Sequence, residues 1–194
     1  MTDSELYPWA GDFSTGDLNS PIAIVTLAED LEFDPDKVAI WGPMRTENLG
    51  IEKVVANTIS NPNIRYLFVC GEEIKGHKSG RSLIALWKNG IDKRGKIKKA
   101  PGAVPYIENL SSEAVERFQN QIEVVDKIGI TCEREIEAHI ADYIKKEPGS
   151  FEKPYIAIKI EKKEKSIIDT DFALHSSLKV SVWGKISNIE EEVK

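Results

Sequence analysis

Ile64-Arg65-Tyr66-Leu67-Phe68-Val69-Cys70, then Gly71-Glu72-Glu73-Ile74-Lys75-Gly76-His77-Lys78-Ser79-Gly80, is the stretch that decides the fold. The first run is apolar and rich in aromatic and β-branched residues, which suits a buried strand. The second is a glycine-bounded polar loop. Ser82 to Asn89 then presents Leu83, Ile84 and Trp87 at helical spacing. Strand, loop and helix in that order form half of a parallel-sheet unit.

Working outward, the same alternation repeats. Toward the N-terminus, Ile22 to Leu27 and Val38 to Trp41 read as two further strands, the latter ended by Gly42-Pro43. Between them and the central strand, Asn48 to Ser60 carries Ile51, Val54, Val55 and Ile59 on one helical stripe, with Thr46 as a cap. Asn61-Pro62-Asn63 stops it. Toward the C-terminus, Val104 to Ile107 reads as a short strand. Ser111 or Ser112 caps a helix through Val115, Phe118, Ile122 and Val125, and a last helix runs from Glu133 to Lys146. Residues 1–20 read as an extended lead-in, and the basic run Lys93 to Lys99 as a solvated loop. The tail changes character, with strand-like alternation at Tyr155 to Ile160 and Leu178 to Trp183. The expectation is an α/β fold: a Rossmann-like, mostly parallel sheet flanked by helices over residues 1–150, with a small C-terminal β hairpin or strand extension over 151–194.

Composition narrows the function. The chain has 194 residues and a formal net charge of −6, which disfavours general binding to nucleic acid. No charge-free run approaches the roughly 20 residues of a membrane-spanning helix, and the N-terminus has no signal-peptide pattern. Two cysteines, Cys70 and Cys132, make no disulfide framework, so the expected compartment is the cytoplasm.

In such sheets, ligands sit at the carboxyl ends of strands, which places the loops Gly42 to Gly50, Gly71 to Gly80 and Ala100 to Asn109 on the candidate site. Two chemistries compete for the central loop. Gly71 and Gly76 have phosphate-loop spacing, but His77 displaces Lys78 and Ser79 by one position, and Glu72 and Glu73 oppose an anion. Alternatively His77 is a metal ligand. One histidine cannot close a zinc site, so this reading needs the other ligands to come from a macrocycle; otherwise His77 is an exposed loop residue. His139 reads as a satisfied, part-buried helix residue, His175 as a turn residue, and Cys70 as an apolar filler.

The segments Thr46-Glu47-Asn48-Leu49-Gly50-Ile51-Glu52-Lys53-Val54-Val55-Ala56-Asn57, Ile59 to Arg65, Cys70-Gly71 with Gly76-His77 and Gly80, and Gly102-Ala103-Val104-Pro105-Tyr106-Ile107-Glu108-Asn109 resemble the A-subunit family of tetrahydromethanopterin S-methyltransferase. That is the corrinoid-carrying component of a methyltransferase complex in methanogenic archaea. The resemblance spans about residues 10–155. It implies a cobamide, a cobalamin-type cobalt corrinoid, with His77 as axial cobalt ligand. The cofactor-binding set it implies is Gly71, Gly76, Ser79, Gly80, Thr46, Asn48, Gly102, Ala103 and Pro105. The implied activity, a step of methanogenesis and one-carbon metabolism, relays a methyl group from methyl-tetrahydromethanopterin to coenzyme M. The implied partners are a subunit that loads the methyl group and one that methylates coenzyme M. His77 is expected to bind cobalt in its oxidised states and release it in the reduced one.

The widespread corrinoid motif D-x-H-x-x-G is half present. His77-Lys78-Ser79-Gly80 matches, but Lys75 replaces the carboxylate that would hold the second imidazole nitrogen. That partner is expected from Glu72, Glu73 or a backbone carbonyl. Met44 stands where the family has Cys, and Pro101 where it has Thr. The hydrophobic C-terminal helix of the membrane-bound form has no counterpart, so the chain reads as a truncated soluble part or as a soluble paralogue.

Overall fold

The computed structural model describes residues 6–74, 76–157, 172–175, 178–180 and 186–188. It divides into two compact units, Met1–Ile160 and Glu161–Lys194.

The first unit is built on four parallel strands. These are β2 (Ile22–Val25), β3 (Ile40–Gly42), β4 (Tyr66–Gly71) and β5 (Glu123–Ile128), in the spatial order β3-β2-β4-β5. A two-residue strand, β1 (Ser14–Thr15), adds antiparallel to β3 at the edge. The register sets Ile24 beside Trp41 on one side and Phe68 on the other, with Val125 beyond. Successive side chains point to opposite faces, so the sheet feeds two cores. Ala23, Val25, Leu67, Val69 and Val124 pack beneath α1 (Leu49–Ser60), α2 (Ser79–Asn89) and α3 (Ser112–Gln121). Ile22, Ile24, Phe68, Cys70 and Val125 meet Ile136 and Ile140 of α4 (Glu133–Ile144) on the other face. A strand buried on both faces must be apolar throughout, and all six residues of β4 are buried.

The α/β architecture matches the sequence expectation, with three local corrections. The helix expected to reach Val125 stops at Gln121, and residues 123–128 instead form the edge strand β5. Val125 continues the helical spacing by coincidence, but the free edge of β4 offers six residues of backbone pairing, Tyr66 with Glu123 through Gly71 with Ile128. Val104 to Ile107 makes only an isolated bridge, Tyr106 with Lys96. The basic run is the solvated loop expected, its five basic residues all exposed, and its backbone is pinned. Ile97 is buried, its N–H donates to Pro105 O at 2.9 Å, and Ile107 N–H donates to Gly95 O at 2.8 Å. The helix after the central loop starts at Ser79, three residues early.

The first unit extends past residue 150. Phe151 N–H donates to Pro62 O at 2.8 Å, and the guanidinium groups of Arg65 and Arg117 lie 5.2 and 4.6 Å from the Phe151 ring centroid. Tyr155–Ala157, the described part of the strand expected at 155–160, is not in a strand.

The second unit holds a three-stranded antiparallel sheet, β6 (Phe172–His175), β7 (Leu178–Val180) and β8 (Ile186–Asn188), in that order. His175 ends a strand rather than sitting in a turn. Residues 181–183 of the strand expected at Leu178 to Trp183 lie outside the described residues.

Candidate functional site at the carboxyl ends of the strands

The chain leaves β2 toward β3 on one side and returns through α1 to β4 on the other. The sheet therefore changes direction between β2 and β4, and the loops above that point form the crevice where such folds bind ligands. The loop after β3 carries Glu47, the loop after β4 carries His77, and the segment before α3 carries Gly102 to Val104. The structure brings all three together.

Glu47 is the centre of the arrangement. Its side chain is 3% exposed, yet it is ionisable and lies 2.8 Å by Oε2 from His77 Nδ1. Its other oxygen, Oε1, accepts the N–H groups of Ala103 at 2.8 Å and Val104 at 2.9 Å. Burial by itself would push the Glu47 carboxyl up. The hydrogen bonds from Val104, His77 and Ala103 outweigh it and hold the pKa below its ordinary value. An ionised carboxylate can only accept, so the imidazole nitrogen facing it carries the proton. In the neutral ring Nε2 then keeps its lone pair. The His77 side chain is 50% exposed and has no other hydrogen-bond partner among the described residues. A buried carboxylate behind an outward imidazole is the arrangement that orients metal-ligating histidines.

The sequence reading missed Glu47 as this partner. It looked to Glu72, Glu73 or a carbonyl, all close to His77 in the chain. Glu73 is engaged elsewhere. Its carboxylate accepts Gly80 N–H at 3.2 Å and Arg81 N–H at 2.8 Å, capping the start of α2. That contact also disposes of the phosphate-loop reading, since the helix N-terminus that would cradle an anion already holds a carboxylate. A residue thirty positions upstream can be placed against His77 only once the β3 and β4 loops are known to be neighbours. The legible signal was an acidic residue on a strand-end loop.

The other candidate residues divide by environment. His77, Gly76 and Ala103 line a cleft of about 560 Å³, together with Glu72, Lys78, Arg81 and Ile128. Gly102 presses against Glu47. A Cβ there would lie 2.7 Å from Ser82 Oγ and 3.2 Å from Glu47 Cγ and Cδ. Thr46 Oγ1 accepts Gly50 N–H at 2.8 Å, capping α1, while the Asn48 side chain makes no cap bond. Ser79 is buried and donates to Met44 O at 3.2 Å. Gly71 is buried with φ +82°, and an added Cβ would collide with Thr26 O. Gly80 packs beneath Leu27 and Ile128, and Pro105 is buried. His139, part-buried on α4, lies 3.0 Å by Nε2 from Lys127 Nζ.

Known proteins share this chain's sequence across the whole of that site. Residues 3–167 match the family model for the A-subunit of tetrahydromethanopterin S-methyltransferase. The chain belongs to this family. A Methanobrevibacter ruminantium protein, named as A-subunit 2 of tetrahydromethanopterin S-methyltransferase, is 49% identical over 160 residues, covering 81% of this chain and 83% of the relative. A-subunit 1 of the Methanothermobacter thermautotrophicus enzyme is 49% identical over 154 residues, which is 78% of this chain and 65% of the relative. A Methanosarcina acetivorans protein, provisionally named as the A-subunit of a methyltransferase Mtx, is 47% identical over 170 residues, covering 88% of this chain and 83% of the relative. Members of the A-subunit family are thus named as methyl-transfer components, and the name implies an assembly with other subunits. Among the described residues of this chain, no helix is long and apolar enough to cross a membrane.

Proposed function

We propose that this A-subunit chain holds a cobalt corrinoid over the His77 loop, with His77 Nε2 as axial ligand. In this reading it carries a methyl group from methyl-tetrahydromethanopterin to coenzyme M, between one partner that loads the group and another that removes it. The observation that carries the reading is the pairing of His77 Nδ1 with buried Glu47, which leaves Nε2 as an outward lone-pair donor in a cleft. Family membership supports the methyl-transfer half.

The residues present fit such a group. Among the described residues no cluster of three or more metal-binding side chains occurs, so His77 suits a metal whose remaining ligands come from a ring. Gly76 has no atom within 4 Å of the place a Cβ would take, which leaves room for a large planar ligand. When bound, the corrinoid would supply the cobalt that accepts and releases the methyl group. The chain's own part is ligation and position. Glu47 fixes the tautomer and aim of His77, and the Ala103 and Val104 N–H groups keep Glu47 ionised. Separate partners fit this division of labour.

The Mtx relative favours a second reading, in which the same carrier serves a different methyl donor and acceptor. Purified protein incubated with hydroxocobalamin and desalted is expected to stay coloured; a colourless product would overturn both readings. Methyl transfer to coenzyme M with the loading and unloading partners added back distinguishes them. Turnover supports the first. Tight corrinoid binding with no such turnover supports the second.

A further inference from the structure

A second cavity shares no lining residue with the His77 cleft, and of the cofactor-binding set above only Thr46 borders it. It has a volume of about 290 Å³ and sits between α1 and the sheet. Its floor is Ala23, Ile40 and Leu67, which share the face of the sheet under α1. Its roof is the stripe of α1 that includes Lys53 and Val54. Space remains because small residues meet there, Ala23 and Gly42 below and Gly50 above. The volume is at the lower end of small-ligand pockets, and the lining is mostly apolar.

The polar groups of the wall are spent, with one exception. The Asn57 amide accepts Trp9 N–H at 3.0 Å and donates to Trp9 O at 2.8 Å. Thr58 Oγ1 donates to Val54 O at 2.8 Å within the helix. At the mouth, Arg45 lies between Asp12 at 3.3 Å and Asp30 at 3.1 Å. Lys53 is half-buried and has neither a hydrogen-bond nor an ion-pair partner among the described residues. Its ammonium keeps access to solvent, and an anion in the cavity would meet it without displacing a partner.

We propose that this cavity binds a small amphipathic monoanion, its carboxylate meeting Lys53 Nζ and its apolar body lying against Ala23, Ile40 and Leu67. An apolar floor does not suit phosphate, which needs a cradle of N–H donors. A purely apolar ligand would leave the Lys53 charge without a partner among the described residues. The site rests on its own observations and not on the corrinoid reading.

The test titrates the full chain with sodium octanoate, octan-1-ol and inorganic phosphate, followed by calorimetry and amide chemical shifts around α1. Octanoate is expected to bind saturably and at least about tenfold more tightly than octanol, the scale of one charge-assisted hydrogen bond. Lys53→Met, which keeps a helix-compatible chain of similar length, is expected to erase that preference while leaving the fold intact by circular dichroism. Val54→Phe is expected to weaken both ligands by filling the space. His77→Ala should leave octanoate binding unchanged, separating this cavity from the His77 cleft. The proposal is overturned if octanol binds as well as octanoate, if phosphate displaces octanoate at equal concentration, if Lys53→Met keeps the preference, or if millimolar octanoate gives no saturable change.

Discussion

At the scale of single residues, the site depends on one carboxylate that holds two neighbours at once. Glu47 Oε2 aims His77, and Oε1 holds the Ala103-Val104 turn. Glu47→Gln keeps the size and an oxygen for the Ala103 and Val104 N–H groups, but the NH2 in place of Oε2 can meet His77 Nδ1 only as a donor, which forces the ring proton onto Nε2. We expect it to fold, to lose about 2 kcal/mol of stability, the scale of a buried hydrogen-bonded charge, and to hold His77 less firmly. Urea unfolding measures the first. The histidine ring resonances, broadened by exchange between ring orientations, report the second. The two cysteines differ as sharply. Burial pushes the Cys70 thiol up to about 12, while Cys132 is exposed. A thiolate reagent at neutral pH should therefore label Cys132 alone until the protein unfolds; labelling of both in the native state would contradict the assignment of Cys70 to the core. His77 stood out in the sequence because it is a lone histidine between glycines. Glu47 is legible only as an acidic residue on a strand-end loop, because its pairing with His77 depends on burial and on a partner from another loop, neither of which has a local signature.

At the scale of elements, Gln121 ties the end of α3 to the strand-start side of the sheet. It is buried, and its Nε2 donates toward Thr58 O, Asn61 O and Ile64 O, at 3.3, 2.9 and 3.1 Å. Arg117 Nε donates to its Oε1 at 2.8 Å. Gln121→Leu would strand several buried carbonyls at once and is expected to cost about 2–3 kcal/mol in chemical denaturation; an unchanged midpoint would show that water replaces the amide. The same junction explains what was legible in the chain. β2, β4 and α1 were, since the two strands are unbroken apolar runs and the helix carries its own apolar stripe. β5 was not. Only Val124 and Val125 of its six residues are buried, one toward each core, between exposed Glu123 and Asp126. Such a strand exists because β4 has an edge to cover, which is a fact about another part of the chain. The basic segment is solvated at its charges, as its composition indicates, but the pinning of its backbone has no local signature. Its charges suggest solvent, while Ile97 and the Asp92 turn, which accepts Arg94 N–H at 2.8 Å and Lys96 N–H at 3.0 Å, pin its backbone.

At the scale of the whole molecule, acid sensitivity follows from the carboxyls. Asp34, Glu47, Asp92 and Glu113 all titrate below their ordinary values in the folded protein. A group whose pKa is depressed by folding stabilises the native state above its unfolded value, here 3.8 for Asp and 4.5 for Glu, and that contribution disappears as pH falls through the folded value. Stability should thus be level through neutral pH with respect to these groups and decline below about pH 4.5. Glu47→Gln should shallow that decline, as measured by thermal unfolding from pH 6 to pH 3; an unaltered slope would mean Glu47 is not held ionised. The larger claim is that the fold converges three loops to present one imidazole nitrogen to a cobalt corrinoid. The visible spectrum of the protein reconstituted with hydroxocobalamin, wild type against His77→Ala, tests it most directly. The account predicts cobalt bands in the wild type displaced by an imidazole ligand, and no such displacement in the variant. Identical spectra from the two bound proteins would contradict it.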